Sequence, residues 1–277
     1  MLRTKCVVIL AVLAATLVAG DAWAGRGSSL GQVKAAIRTN NADVIASELE
    51  RAEKLVCGQC VGEVLVLLDN SDYRIREVAA WWIVRRPVIS EAVTAQSYAR
   101  LAGDPVSARN AADALGTFRH PQALPALDAA LDRGFPDETT EAIVRAVGTI
   151  GHPQGEALVL KAMALPGPAT RVAATKAYWE LRGTRSGDAL TGLLTDASAD
   201  VRRAATAAIG SYQVPGARGT LESLVASDPD VQVRRNAAFA LGRIGDAASY
   251  ATLKAAADGD ASSIVRGYAK AALRNLH

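Results

Sequence analysis

The sequence predicts an all-α chain: a stack of about seven two-helix repeats of roughly 31–32 residues behind an N-terminal export signal. Three observations carry this expectation. A glycine-bearing motif recurs at nearly constant steps, apolar residues inside each recurrence fall at helical spacing, and the composition is alanine-rich with only 5% aromatic residues. Ala-rich chains with scattered charges favour closely packed helices over sheets.

The first 24 residues read as a secretory signal. Arg3 and Lys5 supply a positive start, Val7 to Val18 forms the apolar run, and Ala22-Trp23-Ala24 is a small-x-small cleavage site. The run is short for a membrane span, which takes about 20 apolar residues. Cleavage after Ala24 is expected, with a mature chain from Gly25, no membrane span after cleavage, and a periplasmic or secreted location. The formal charge of +3 falls to about +2 once Arg3, Lys5 and Asp21 are removed. Such a balanced surface gives no footprint for nucleic acid or an anionic membrane.

Residues 25–60 are expected to form an N-terminal helical cap. Val33 to Ile37 and Val44 to Leu55 have helical periodicity on either side of Asn40-Asn41. They would cover the apolar face of the first repeat, as terminal units of an array must.

The repeat array is expected over 61–277. Positions aligned with Gly242 are Val84, Gly116, Gly148, Trp179, Gly210 and Arg274, separated by 31 or 32 residues throughout. Each second helix can be counted from Arg76, Arg171, Arg202, Arg234 or Arg266, with Ala108 and Thr140 at the same place in two units. Six residues on lies Trp82 and then alanine in every later unit; seven on lie Ile83, Leu115, Val147, Tyr178, Ile209, Leu241 and Leu273. Apolar positions three to four apart make one face of a helix. Asp72, Asp104, Asp137, Asp200 and Asp230 mark the starts of these helices, where a short acceptor satisfies free N–H groups. Shorter apolar first helices are expected at Gly62 to Leu68, Ala123 to Leu131, Glu156 to Ala164, Ala189 to Leu194, Leu221 to Ala226 and Tyr250 to Ala256.

The pattern Asp-x-Asp-x-x-Val-Arg-x-x-Ala-Ala-x-Ala-Leu-Gly, clearest across Asp228 to Gly242, resembles the HEAT-like repeat of the phycobilisome-lyase type. The resemblance extends over about residues 61–277 and implies a right-handed α-α superhelix, a HEAT-like solenoid. It implies no single function, since such repeats occur in chromophore-lyase relatives, in scaffolds and in many other proteins. It also implies that Arg76, Arg171, Arg202, Arg234 and Arg266 pair with acidic turn residues of their own or the neighbouring unit. Asp196, Asp228 and Asp260, each six residues before an arginine, are placed for such a ladder.

Cys57-Gly58-Gln59-Cys60 is the motif that could carry reactivity. Export permits a disulfide between Cys57 and Cys60, and residues three apart in a first helical turn lie close enough to bridge. A structural disulfide is the leading reading; thiol-disulfide exchange and a free or metal-linked pair stand beside it. His120-Pro121 and His152-Pro153 lie 32 residues apart and read as equivalent turn positions rather than as metal ligands. No cofactor is implied by the residues.

Function is therefore sought on the outer stripe of the second helices, one and five residues after the arginine. Trp81, Arg109, Arg145, Arg203, Arg235 and Phe239 are the candidate partner-binding residues. Aromatic residues and arginines are enriched at binding hot spots. For Trp81, packing with Trp82 beneath the cap is an equally good reading. The leading expectation is an exported, non-catalytic scaffold for a protein or peptide partner. The alternative is an enzyme or accessory, either chromophore-lyase-like or a thiol oxidoreductase using Cys57 and Cys60.

Overall fold

The computed structural model describes residues 28–183 and 187–276. The expected signal peptide, its cleavage site and His277 lie outside the described residues. Among the described residues there is no strand, and no helix is long and apolar enough to cross a membrane.

Helices α1 (Leu30–Arg38), α2 (Ala42–Arg51) and α3 (Gly58–Val66) open the chain. Ser29 and Asn41 cap the first two by accepting N–H groups of their first turns, and the Cys57 sulfur accepts from Cys60 N at the start of α3. Then follow α4 (Tyr73–Val84), α5 (Pro87–Leu101), α6 (Pro105–Phe118), α7 (Leu124–Leu131) and α8 (Asp137–Ile150). After these come α9 (Glu156–Met163), α10 (Pro168–Glu180), a 3₁₀ helix Asp188–Thr195, α11 (Ala199–Tyr212), α12 (Arg218–Ser227), α13 (Val231–Ile244), α14 (Tyr250–Gly259) and α15 (Ser263–Leu273). The chain divides into two compact units, one ending at Ala146 and one beginning at Val147, so the division falls inside α8.

In the first unit, α1 to α4 share one core around Val33, Ile45, Leu49, Val64, Ile75 and Trp82. The Trp82 side chain is fully buried and its Nε1 donates to Ala52 O at 3.2 Å. Arg86 lies over the Trp82 ring and donates to Trp82 O at 2.7 Å, Glu53 O at 3.1 Å and Leu55 O at 3.2 Å. One guanidinium thereby satisfies carbonyls at the end of α2 that have no helical partner of their own. Burial pushes Arg86 down to about 10, which leaves it charged at neutral pH.

In the second unit, the second helices α10, α11, α13 and α15 pack in sequence, and α10, α13 and α15 each lie against their own first helix. Small residues set how closely they approach. A Cβ added at Gly210 would meet Ala240 Cα at 3.1 Å, and one at Gly242 would meet Ala272 Cα at 2.7 Å. Gly148 stands in the same relation to Ala177, at 2.8 Å. The glycine of one repeat thus receives the alanine that lies six residues after the arginine position of the next.

Three features depart from the sequence expectation. Helix α5, 15 residues long, stands where no first helix was expected. It buries only Val93, Ser97 and Leu101, a thread at four-residue spacing that is too thin to read as an apolar stripe. The expected helix Ala189 to Leu194 is a 3₁₀ helix, consistent with the β-branched Thr191 and Thr195 and with Gly192, all poor α-formers. Asp72, Asp104 and Asp230 do cap their helices, but Asp137 is already the first residue of α8, and Ser198 takes the cap position of α11 ahead of Asp200.

Candidate functional site

The arginine at the head of each second helix makes two kinds of contact. Nη1 donates to carbonyls five and six residues upstream: Arg202 to Asp196 O and Ala197 O, Arg234 to Asp228 O and Pro229 O, Arg266 to Asp260 O and Ala261 O. The same contacts hold Arg171 to Leu165 O and Pro166 O, and Arg76 to Asn70 O and Ser71 O. The other edge of the guanidinium faces forward. Arg171 pairs with Asp196, Arg202 with Asp228 and Arg234 with Asp260, the Nε distances being 2.7, 2.7 and 2.8 Å. Each arginine therefore joins its own turn to the turn of the following repeat. The fork suits two carboxylate oxygens at once. The guanidinium bonds hold the Asp196 and Asp260 carboxyls below the usual carboxylate range, against the opposing effect of desolvation.

Arg76 breaks the pattern. The residue at the equivalent next turn is Ala102, and Arg76 instead donates from Nε and Nη2 to Asp113 Oδ2 on α6, at 2.8 and 2.6 Å. Arg145 donates to the other oxygen of Asp113 at 2.8 Å and stacks over Tyr73 with a separation of 4.2 Å. Asp113, placed on the outer stripe by spacing, is 4% exposed. Burial is the main cause that pushes the Tyr73 hydroxyl up to about 12.

The six candidate binding residues part company. Arg109 is paired with Glu138, Arg145 with Asp113 and Glu141, and Arg203 with Asp200 and Asp230. Trp81 is half-buried against the α1–α4 core, with Arg85 stacked 3.8 Å above its ring. Arg235 has no carboxylate partner among the described residues; it bonds Asn236 Oδ1 and lies over the Tyr268 ring. Phe239 is 43% exposed and meets Tyr268, itself 40% exposed, edge-on at 6.4 Å. Arg235, Phe239 and Tyr268 thus form an open patch on α13 and α15.

Spacing alone overlooked a groove between α10 and α11. It has a volume of about 320 Å³ and is lined by Thr175, Lys176, Trp179 and Glu180 on one side and Ala204, Ala207, Ala208 and Ser211 on the other. Trp179 is 55% exposed and touches Tyr212 edge-on at 5.0 Å. It occupies the repeat position where Gly148, Gly210 and Gly242 admit an alanine from the next helix, and Ala208 is the alanine that would be admitted here. An indole cannot be approached as a glycine can, and the groove lies at this joint between two helices that remain in contact. The sequence carried the signal, since Trp179 was the one aromatic in the glycine series.

Cys57 and Cys60 have their sulfurs within bonding distance and their Cα atoms 5.2 Å apart. Both sit at the α3 start, with Cys60 wholly buried. His152 Nδ1 accepts from Gln154 N at 3.3 Å and so caps its own turn, while His120 lies edge-on to Phe118. Among the described residues no three His, Cys, Asp or Glu side chains converge as a metal-binding group.

The family model for HEAT repeats matches residues 129–209 and 187–274, and that for the PBS lyase HEAT-like repeat matches 108–133. The bilin biosynthesis protein PecE of Mastigocladus laminosus is 36% identical over 93 residues, 31% of this chain. That stretch spans 35% of PecE, about a third of its length. The X-ray structure of YIBA_ECOLI, from Escherichia coli, is 13% identical, with a TM-score of 0.55 over 89% of this chain and 92% of that one, a likeness of fold alone. The CpcE–CpcF complex of phycocyanin lyase from Nostoc sp. PCC7120 is 23% identical over 78% of this chain and 86% of that one, with a TM-score of 0.42.

Proposed function

This chain belongs to the HEAT-repeat family and carries repeats of the PBS lyase type, and we propose that it is an exported scaffold that holds a protein partner on the second helices of its second unit. One observation carries the reading. Trp179, Phe239 and Tyr268 stay open to solvent on α10, α13 and α15, beside Lys176 and Arg235, which have no carboxylate partner among the described residues. Arg171, Arg202 and Arg234 at the helix heads are tied to aspartates in the ladder, and Arg266 is turned to the carbonyls of its own turn. Exposed aromatics next to uncompensated cations are the make-up of a binding hot spot.

The test is site-directed photocrosslinking with benzoylphenylalanine at Phe239 and, as a control, at Tyr250. Tyr250 is 56% exposed but stands on the first helix α14. Protein adducts at 239 and not at 250 are expected. Equal adducts at both, or none at 239, would remove the second-helix surface as the binding face.

Export places the chain where Cys57 and Cys60 can stay joined, and we assign the pair a structural role at the α3 start. The exported protein should begin at Gly25, and its two thiols should resist alkylation until reductant is added. A chain that still carries Met1, or one that reduces insulin, contradicts these assignments.

A second reading is favoured by the PecE match: an accessory in bilin chemistry. It predicts that a free bilin added to the purified protein changes its visible absorbance. The scaffold reading predicts an unchanged spectrum.

A further inference from the structure

We propose that the groove between α10 and α11 is the seat of an acidic polypeptide segment, which inserts one bulky apolar side chain against Trp179. The proposal rests on the scaffold reading and supplies the chemistry of the partner.

The first ground is the groove itself. Wherever glycine holds the Trp179 position in the second unit, the following helix closes onto it; a Cβ at Gly242 would lie 2.7 Å from Ala272. At Trp179 the closure is replaced by an open space of about 320 Å³ with an indole wall and a floor of Ala204, Ala207 and Ala208. That volume is at the small end of the ~300–1,000 Å³ range of ligand pockets. It suits one anchoring side chain rather than a whole cofactor.

The second ground is charge. The helices α10, α11, α13 and α15 carry nine basic residues and two acidic ones, Glu180 and Asp200. The turn aspartates Asp196, Asp228 and Asp260 neutralise Arg171, Arg202 and Arg234, and Asp200 and Asp230 neutralise Arg203. Five of the nine, Lys176, Arg235, Arg243, Arg266 and Lys270, have no carboxylate partner among the described residues; Lys176 stands on the groove rim and Arg235 two second helices further on. The second helices are therefore net positive, Glu180 being the one carboxylate of the groove lining and itself engaged in a further contact, and such a surface favours acidic partners over basic ones.

The third ground is continuity. From the groove to Arg235, Phe239 and Tyr268 the path crosses two helix spacings, roughly 20 Å at ~10 Å each. An extended segment covers that path in about six residues at ~3.3 Å per residue. One carboxylate would meet Lys176 and another Arg235, with the apolar anchor between α10 and α11.

The test is selection of a random twelve-residue phage-displayed library on the purified full chain. Enriched peptides should carry Asp or Glu around a single Phe, Trp, Leu or Met, and their binding should weaken with salt. Trp179→Gly restores the glycine of the other repeats, Ala207→Leu fills the groove from an exposed position, and Lys176→Glu reverses the rim charge. Each should lower affinity about tenfold or more while the helical circular-dichroism signal is kept. The proposal is overturned by no enrichment, by enrichment of neutral or basic peptides, or by full binding to Ala207→Leu and Lys176→Glu. It is equally overturned by a dimer of this chain that Ala207→Leu dissociates, which would make a second copy the occupant. Crosslinks at Phe239 that persist when these results fail would leave the scaffold reading standing and remove the groove from it.

Discussion

Arg234 on α13 grips Asp260, 26 residues further along the chain, with both Nε and Nη2, while its remaining nitrogen binds Asp228 O and Pro229 O behind it. Both side chains are largely buried. An exposed pair contributes ~0–1 kcal/mol, whereas breaking a buried pair costs ~3–5 kcal/mol. Arg234→Ala should therefore lower the unfolding free energy by about 2–3 kcal/mol in urea titration. Arg234→Lys should recover less than half, because an ammonium cannot span both turns.

The ladder also sets a pH dependence. Asp196 and Asp260 titrate below the ordinary aspartate value because Arg171 and Arg234 bond their charged forms. The unfolded chain, with values near ~3.9, takes up protons first. The stabilisation is complete above that value and is lost as the pH falls through the lower folded values. Thermal unfolding between pH 5 and pH 2 should fall steeply for the wild type. The Asp196→Asn, Asp260→Asn variant should start lower at neutral pH and change less; an equal slope would show that these carboxylates do not govern acid stability.

Two glycine substitutions should move stability in opposite directions. Gly242→Ala forces a Cβ to within 2.7 Å of Ala272 and should cost about 1–3 kcal/mol by overpacking. Gly267→Ala, inside α15 with open space around it, should gain about 0.5–1 kcal/mol from backbone entropy. Denaturant midpoints of the two variants decide the matter.

Arg86 should hold the first helices in place. Arg86→Ala leaves Glu53 O and Leu55 O without this donor and uncovers the Trp82 ring. A loss of about 2–3 kcal/mol is expected, with faster amide exchange concentrated in α2. Uniform exchange along the chain would mean that the contact is not local in its effect.

The second helices were legible in the sequence because each repeats the same apolar spacing around an arginine or its substitute, and the glycine–alanine register was visible as well. Helix α5 was not, since its buried side is one residue wide. The outer stripe was harder still. Spacing placed Arg109, Arg145 and Arg203 on one face, but only the positions of Glu138, Asp113 and Asp230 show that these charges are already neutralised. Arg76 meets Asp113 on α6 where the ladder position of the next turn is Ala102, a pairing between residues 37 apart that no local pattern encodes. Trp179 was visible as an aromatic in a series of glycines, but the groove it opens depends on how α11 meets α10.

The forward grip of each arginine gives the second unit a direction, like couplings that each have a hook at one end and an eye at the other. Arg171, Arg202 and Arg234 are hooked to their successors, whereas Arg266 binds only the carbonyls of its own turn among the described residues. Its hook is open. A grafted repeat that offered an aspartate 26 residues beyond Arg266, the spacing of the Arg202 and Arg234 links, would find its coupling already built. A repeat grafted in reverse orientation would bring two hooks together. The ladder therefore leaves a coupling ready for one further module that runs in the same sense.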